Sequence, residues 1–136
     1  MSGSIDYQAP ALAWYAGMAE RDWAGLRELA HPEIDFTVAK GFPNGGHYVG
    51  REGVFDEYFP GAATAWSSLT PAIDQVIPAG DYTVVLGRYV GVTRETQTPF
   101  DVEFAHVWRS DGTHLTELKQ YIDTAIFRER LEGVAA

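Results

Sequence analysis

The sequence predicts an α+β fold in which helices pack against one curved, antiparallel sheet. Apolar residues recur at helical spacing through the first part of the chain, whereas from Leu69 onward they alternate as they do in strands. An Asp111-Gly112 pair between two alternating runs marks a tight hairpin turn. A series of helices followed by a series of antiparallel strands is typical of the α+β class.

The N-terminal segment predicts two consecutive helices. In residues 9–19 the side chains of Leu12, Tyr15 and Met18 recur at helical spacing. Asp22 is a favourable N-cap for a second, shorter helix, because its carboxylate can accept a hydrogen bond from an amide of the first turn. Both helices therefore precede the first predicted strand.

The rest of the chain is predicted to form a single sheet interrupted by one helix. The elements are a strand at 34–39, a glycine-rich loop at 40–50, a third helix at 51–59, and strands at 72–77 and 82–93. Pro60-Gly61 ends the third helix, and residues 78–81 form a turn. No linker or internal repeat divides the chain, so we expect one domain spanning residues 1–136.

The segment from Phe100 to Phe127 predicts two long strands joined by the Asp-Gly turn. A three-residue loop with glycine at a positive φ places Arg109 opposite Thr113. The same register places Glu103 opposite Lys119, and this opposite-charge pair supports it. Because a slip by one residue would turn every side chain of one strand over, the register determines both faces of the hairpin.

One face of this hairpin combines apolar side chains with a few polar ones. Its members are Phe100, Val102, Phe104, His106, Trp108, His114, Thr116, Leu118, Gln120 and Ile122. We expect His106 to point into the space that the sheet encloses, with Thr116 and Gln120 as polar neighbours. Such a mixture indicates a lined cavity rather than a plain core.

Composition argues against several classes of function. The chain has 136 residues, no cysteine and a net charge of −9, so we expect no thiolate chemistry and no nucleic-acid partner. It has neither an apolar run of membrane length nor a signal-peptide pattern, so we expect a soluble, cytoplasmic protein without a membrane partner. Aromatic residues make up 13% of the chain, enough to line a pocket for a flat apolar ligand as well as to fill a core.

Three groups of short motifs stand in a characteristic order along the chain. They are AERDW at 19–23, YVGREGV at 48–54, and HVW at 106–108 followed by DG at 111–112 and YID at 121–123. With these motifs the chain resembles the SnoaL-like family of the nuclear transport factor 2-like superfamily, and the resemblance covers nearly the whole chain. It implies a cone-shaped α+β barrel, with three N-terminal helices packed on a strongly curved mixed, mostly antiparallel sheet. It also implies a deep pocket and a homodimer.

This superfamily contains enzymes of different chemistry, so each reaction has to be compared with the residues present here. Ketosteroid isomerase uses an aspartate base with a tyrosine and a protonated aspartate as hydrogen-bond donors. By resemblance, these three positions hold Val38, Trp14 and Phe104. The isomerase machinery is therefore absent.

Two further enzymes of the superfamily match in part. Limonene epoxide hydrolase uses an Asp-Arg-Asp set; the resemblance matches its arginine to Arg88, but Val90 and Gln120 replace the two carboxylates. Polyketide cyclases use an aspartate near the end of the last strand as acid and base, and Asp123 lies at or one residue beyond that place. Strand alternation turns Asp123 outward, so this match requires a bulge there.

His106 and Asp123 are the candidate catalytic residues. A buried imidazole is a candidate general base, because burial and a neighbouring Arg88 both favour its neutral form. The alternative is that His106 hydrogen-bonds a neighbour and helps to pack the sheet. Asp123 has the alternative role of a strand-end cap that holds the N-terminal helix.

The candidate ligand-binding residues are Arg88, Gln120, Trp14, Tyr15, Thr116, Leu118 and Phe104. Arg88 on the inner face would turn Val85 and Tyr89 to the convex side, since strand residues alternate. A buried arginine nearly always has an anionic partner, either a ligand or an internal acid such as Asp35 or Glu57. The default role of Tyr15 is core packing.

Two functions stay open on this reading. The first is an enzyme that transfers protons (isomerisation, cyclisation or dehydration) on a hydrophobic, ring-bearing substrate, with His106 as base. The second is a non-catalytic ligand-binding or accessory module. We expect no cofactor and no metal, because His106 and His114 are not neighbours in the predicted register. We expect a two-fold homodimer through the convex face, where Val85, Tyr89 and Tyr121 are predicted to lie.

Overall fold

The computed structural model describes residues 4–134, in which helices pack on a six-stranded sheet. The helices are α1 (Ala9–Glu20), α2 (Trp23–Leu29), α3 (Gly50–Glu52), α4 (Phe59–Ala62) and α5 (Thr124–Leu131), with a π-helical turn (Gly53–Tyr58) before α4 and a 3-10 turn (Ala63–Ala65) after it. The strands are β1 (Ala30–Val38), β2 (Gly46–Val49), β3 (Trp66–Ala79), β4 (Tyr82–Thr93), β5 (Pro99–Ser110) and β6 (Leu115–Ile122). No helix among the described residues has the length and apolar run needed to span a bilayer.

The sheet is mixed and mostly antiparallel. Its order is β2-β1-β6-β5-β4-β3, and only β1 and β6 run parallel. The long strands β3, β4 and β5 twist as they cross the molecule, which curls the sheet around its inner face. The sheet does not close, because β2 and β3 remain its two edges. The predicted α+β fold with helices on a curved sheet is confirmed.

Two aspartates define helix starts through the same local contact. Oδ1 of Asp22 accepts a hydrogen bond from the Gly25 amide at 3.0 Å, as predicted for the second helix. Oδ1 of Asp123 accepts one from the Ile126 amide at 3.1 Å and begins α5. Asp123 therefore caps a C-terminal helix, not the N-terminal one. Sequence reasoning missed α5 because the helix is only eight residues long and follows β6 directly, so that its residues were included in the last strand.

The β5–β6 register differs from the prediction by four residues. His106 lies opposite Gln120, and Lys119 lies opposite Val107, so the predicted pairing with Glu103 is wrong. The loop is longer than three residues because Asp111 Oδ1 accepts hydrogen bonds from the amides of residues 113 and 114, while Gly112 takes the predicted positive φ of 93°. A shift by an even number preserves the faces, so Glu103 and Lys119 are exposed as expected.

An irregularity at the start of β6 changes the position of one predicted cavity residue. Leu115 pairs with Ser110, and Glu117 pairs with Arg109, so Thr116 is the extra residue of a bulge. The bulge buries Leu115, which the prediction had placed on the outer face. Thr116 is half-buried and does not line the inner cavity.

Strand β4 faces the opposite way from the prediction. Val85 and Tyr89 are buried on the inner face, whereas Arg88 lies on the outer face and pairs with Asp74 and Asp101. The same alternation turns four further residues outward that were expected inside: Val84, Leu86, Val90 and Val92. The guanidinium is stabilised by carboxylates at the surface, so it needs no buried partner.

The core lies between the helices and the inner face of the sheet. Phe104 and Leu118, predicted on the inner face of the hairpin, belong to it, whereas Leu86 of β4 does not. Aromatic rings from both layers meet there: the ring centroid of Trp14 on α1 lies 5.1 Å from that of Trp108 on β5. The aromatic content of the chain is therefore used to join the helices to the sheet.

Candidate functional site

A small internal cavity of about 40 Å³ lies between α1, the helical residues 58–59 and the inner face of the sheet. Seven aromatic side chains form most of its wall: Trp14, Tyr15, Phe36, Tyr58, Phe59, Tyr89 and Trp108. Its polar end consists of His106 and Gln120, which are opposite one another on β5 and β6. The cavity is thus apolar on most sides and polar at one end, as ligand sites usually are.

His106 is held between two tyrosine hydroxyls. Tyr15 Oη lies 2.5 Å from Nδ1, and Tyr89 Oη lies 2.8 Å from Nε2. The three side chains come from α1, β4 and β5, and all are buried. Both ring nitrogens are therefore occupied by protein groups.

The hydrogen-bonded chain extends one residue further on each side. The Trp108 indole Nε1–H donates to Tyr15 Oη at 2.8 Å. The Gln120 Nε2 amide donates to Tyr89 Oη at 3.0 Å, and its Oε1 accepts from the Ala39 amide at 3.2 Å. The network fixes the position of every polar group at the end of the cavity.

Burial keeps the whole network uncharged. Desolvation lowers the pKa of His106 from 6.5 to about 3, so the imidazole is neutral at physiological pH. Burial also raises the pKa of Tyr15 and of Tyr89 above the ordinary tyrosine value, against the opposing effect of their hydrogen bonds from Trp108 and Gln120. Among the described residues no Asp, Glu, Lys or Arg lines the cavity. The site therefore offers hydrogen-bond donors rather than a fixed charge.

Phe104 supports the imidazole from behind. Its ring stacks on that of His106 with centroids 3.9 Å apart and planes 15° apart. The ring of Tyr15 is nearly parallel to the imidazole as well, at 5.8 Å and 8°. These contacts restrict the orientation of the imidazole, so that each nitrogen keeps its own partner.

Of the nine predicted site residues, five line the cavity and four do not. Those that line the cavity are His106, Gln120, Leu118, Trp14 and Tyr15. Phe104 contacts His106 without lining the cavity, and Thr116 lies in the β6 bulge. Asp123 is the N-cap of α5, and its carboxylate accepts the Ile126 amide instead of reaching the cavity.

Arg88 is the largest correction to the predicted site. Its Nη1 donates to Asp101 at 2.8 Å and its Nε to Asp74 at 3.3 Å, all on the outer face of the sheet. These carboxylates raise the pKa of Arg88, with Asp101 contributing most. The prediction that Arg88 lines the cavity and reaches His106 is wrong.

Tyr89 is the partner of His106 that sequence reasoning missed, because placing Arg88 inside turned Tyr89 outward. One signal in the sequence could have found it. Asp101 and Glu103 lie on the outer face of the predicted hairpin, and Arg88 is the one cation of the neighbouring strand that could pair with them across the sheet. Reading Arg88 as their partner turns Tyr89 inward.

Two side chains separate the cavity from the surface. Met18 and Phe59 line the inner cavity and also a groove of about 150 Å³ outside it. The π-helical turn ends at Tyr58, directly before Phe59. Residues 4–134 contain no group of three or more His, Asp or Glu side chains placed to hold a metal ion.

A family comparison and structural comparisons agree with this architecture. The model of the SnoaL-like domain matches residues 11–118. An NTF2-like protein from Burkholderia thailandensis is 29% identical, with 95% of this chain and 98% of that chain covered and a TM-score of 0.85. TerC, co-crystallised with polyporic acid, is 27% identical, with coverages of 93% and 98% and a TM-score of 0.84.

Fold similarity extends to more distant proteins. An NTF2-like protein of unknown function from Burkholderia pseudomallei shares the fold at 22% identity, with coverages of 92% and 96% and a TM-score of 0.84. No curated protein matches the chain. The comparisons therefore place the chain in a family without assigning it a reaction.

Proposed function

Because this chain belongs to the SnoaL-like domain family, we propose that it binds a small hydrophobic, ring-bearing molecule in the cavity beside His106. The observation that carries the proposal is the uncharged Tyr15–His106–Tyr89 set at the end of an aromatic-walled cavity. In ligand sites, a few polar groups that converge on a mostly apolar cavity usually fix the orientation of the ligand. The complex of the related TerC with polyporic acid supports an organic ligand in this fold.

Binding of a ring requires the cavity to widen. A volume of about 40 Å³ holds only a few water molecules. Met18 is an unbranched, flexible side chain, and Phe59 follows a π-helical turn, a feature often found at functional sites. Outward movement of these two side chains would join the cavity to the outer groove of about 150 Å³.

Occlusion of the cavity tests this proposal. Val38 is buried and lines the cavity, whereas Thr37 is its neighbour on the other face of β1. We expect Val38→Phe to abolish binding of ring compounds that stabilise the wild type in a thermal-shift screen and bind it in calorimetry. Thr37→Phe adds the same ring outside the cavity and should leave binding intact. If Val38→Phe folds and binds as well as wild type, the ligand site lies elsewhere.

A second function, proton transfer, is favoured by the imidazole between two hydroxyls. Starting with the proton on Nε2, a substrate proton moves to Tyr15 Oη and the Tyr15 proton moves to Nδ1. The Nε2 proton moves to Tyr89 Oη, and the original Tyr89 proton moves to another atom of the substrate. The substrate is isomerised without net charge change, and His106 ends in its other tautomer. In this scheme His106 relays protons and does not contact the substrate as its base.

We also propose a homodimer through the outer face of the sheet. Val85 and Tyr89, expected on that face, are buried inside. The face instead carries a band of apolar residues: Ile77, Val84, Leu86, Val90, Val107 and Tyr121. Tyr121 is 58% exposed and Val90 39% exposed in the single chain. An exposed group of apolar side chains on one face is typical of an interface.

A further inference from the structure

The groove of about 150 Å³ outside the inner cavity is lined by two arginines, Arg21 and Arg94. It shares Met18 and Phe59 with the cavity, so the two spaces meet at these side chains. Among the residues that the structure describes, no Asp or Glu lines the groove, although the chain carries 19 acidic and 10 basic residues. The groove is therefore a positively charged place on a protein of net charge −9.

Neither arginine forms an ion pair with a carboxylate of residues 4–134. Four other arginines of this part of the chain do so: Arg27, Arg88, Arg109 and Arg130. The acids next to Arg21 and Arg94 in the chain do not line the groove, and they are Glu20, Asp22 and Glu95. The two positive charges are thus not offset by the protein where they face the groove.

Arg94 is held in place by neutral groups. Its Nη2 donates to the carbonyl oxygens of Trp66 at 2.9 Å and of Ala63 at 3.3 Å, and its backbone amide donates to the Ala65 carbonyl oxygen at 3.0 Å. These contacts order the guanidinium without neutralising it. The Nε and Nη1 hydrogens make no hydrogen bond with any residue that the structure describes, so they are available to an acceptor in the groove.

Arg21 occupies a backbone position that favours glycine. It directly follows α1 and is left-handed, with φ 56° and ψ 38°. Helices commonly end with a glycine in this conformation, because a Cβ atom is disfavoured there. The Arg21 side chain lines the groove and forms no hydrogen bond or ion pair within the described part of the chain. The fold itself therefore gives no reason for an arginine at this position.

A β-bulge adds a hydroxyl group to the groove. Trp66 pairs with Thr93 and Ser68 pairs with Val92, so Ser67 is the extra residue near the start of β3. In a regular strand the two serines would point to opposite faces, but both line the groove. The Ser67 hydroxyl donates to the Thr93 carbonyl oxygen. The Ser68 hydroxyl is exposed and adds a donor beside the two guanidinium groups.

We propose that this groove binds the anionic group, a carboxylate or a phosphate, of the ligand whose ring occupies the cavity. This inference rests on the proposed function and adds a charge to its ligand class. The uncharged cavity suits a ring, whereas guanidinium groups without a carboxylate partner suit an oxyanion. One molecule occupies both spaces once Met18 and Phe59 move aside. The ligand is therefore a ring-bearing acid.

Three probes with one phenyl ring test the charge of the ligand. The first two, 3-phenylpropionate and 3-phenylpropanamide, have the same shape and differ in charge, and 2-phenylethyl phosphate carries the other anion. By calorimetry we expect 3-phenylpropionate to bind wild type about tenfold more tightly than the amide, the gain of roughly one charge-assisted hydrogen bond. The preference should shrink in about 1 M NaCl, which screens exposed charges. The anion that binds more tightly identifies the group as a carboxylate or a phosphate.

Arg21→Gly tests the groove while preserving the fold. Because glycine is favoured at this left-handed position, we expect the variant to unfold at a higher urea concentration than wild type. It should nevertheless lose most of its preference for 3-phenylpropionate over the amide, which a merely structural role of Arg21 would not produce. Arg94→Met should lose the preference as well. Arg128→Met is the matched control: it removes an exposed arginine of α5 that does not line the groove, and it should keep the preference.

The outcomes separate this inference from the proposed function. Equal affinity for 3-phenylpropionate and its amide, with both lost in Val38→Phe, would overturn the anion site and leave the cavity in place. An unchanged preference in Arg21→Gly and Arg94→Met would overturn the anion site as well. A preference that depends on Arg21 but survives Val38→Phe would support the anion site and overturn the proposed function. If no probe binds wild type or Phe59→Ala, which opens the path to the cavity, both fail.

Discussion

The Tyr15 hydroxyl lies 2.5 Å from Nδ1 of His106, although the two residues are 91 positions apart in the chain. This contact joins α1 to β5 and closes the cavity at its polar end. Together with the contact between Tyr89 Oη and Nε2, it leaves both imidazole nitrogens occupied by tyrosine hydroxyls.

Replacement of His106 distinguishes a functional network from a structural one. His106→Gln leaves the two hydroxyls without their shared partner, so we expect ligand binding and any turnover to fall at least tenfold and stability to fall by about 1–3 kcal/mol. Equilibrium urea unfolding and calorimetry measure the two effects. His114→Gln, at a half-buried position near the hairpin loop, is the control and should change neither. Unchanged binding after His106→Gln would remove this network from the ligand site.

Loss of the Tyr15 hydroxyl should destabilise the protein more than loss of an exposed one. Tyr15→Phe leaves the buried Trp108 indole N–H without an acceptor, which costs about 1–3 kcal/mol of unfolding free energy. Tyr121→Phe removes the same atom from a side chain that is 58% exposed in the single chain, and it should cost less than about 0.5 kcal/mol when both variants are made in the monomeric Leu86→Glu background. Urea titration compares the two variants. Equal effects would show that the buried hydroxyl is not an essential link in the network.

The buried imidazole should make stability depend on pH in a defined window. The pKa of His106 is about 3 in the folded state and 6.5 for an exposed imidazole, so the unfolded state binds more protons between these values. Stability is therefore highest above pH 6.5 and falls as the pH is lowered toward 3, by about 1.4 kcal/mol per unit in mid-range. The difference between wild type and His106→Gln in urea unfolding at several pH values isolates this contribution. If the difference in unfolding free energy between the two proteins does not change with pH, the imidazole is not held in its neutral form by burial.

The outer face of the sheet predicts the oligomeric state. Leu86→Glu places a charge in the apolar band, and we expect it to convert a dimer into a monomer. Leu12→Glu makes the same change on α1, where the side chain is 49% exposed, and should leave the dimer intact. Light scattering at micromolar concentration measures both masses. A wild-type monomer at that concentration would contradict the proposed interface.

We expect Asp123 to contribute to the stability of the protein and not to ligand binding. Asp123→Ala removes the cap of α5 and is expected to cost about 1 kcal/mol, similar to Asp22→Ala at the start of α2. Ligand binding should be unchanged, because the Asp123 side chain does not line the cavity. A specific loss of turnover in Asp123→Ala, with no such loss in Asp22→Ala, would return Asp123 to the list of catalytic candidates.

The β5–β6 hairpin shows which structural features a local sequence pattern predicts and which it does not. Strict alternation along β5 placed His106 and Trp108 on the inner face, and the structure agrees. The pairing was wrong by four residues because the Asp111 carboxylate binds two amides and lengthens the loop. Alternation depends on backbone geometry within one strand, but register depends on how the loop folds, which the residue types alone did not determine.

The sequence by itself determined the fold class, the inner face of the hairpin and the place of His106 within it, because these follow from periodicity along single strands and helices. Alternation alone left open which face of β4 points inward, and the tertiary structure decided it. That strand carries apolar residues on both faces, so its orientation depends on Arg88 meeting Asp74 and Asp101 across the sheet. The inward turn of Tyr89 follows from that pairing, and with it the second hydroxyl on His106. Contacts between elements distant in the chain have no local pattern, and the candidate site consists of such contacts.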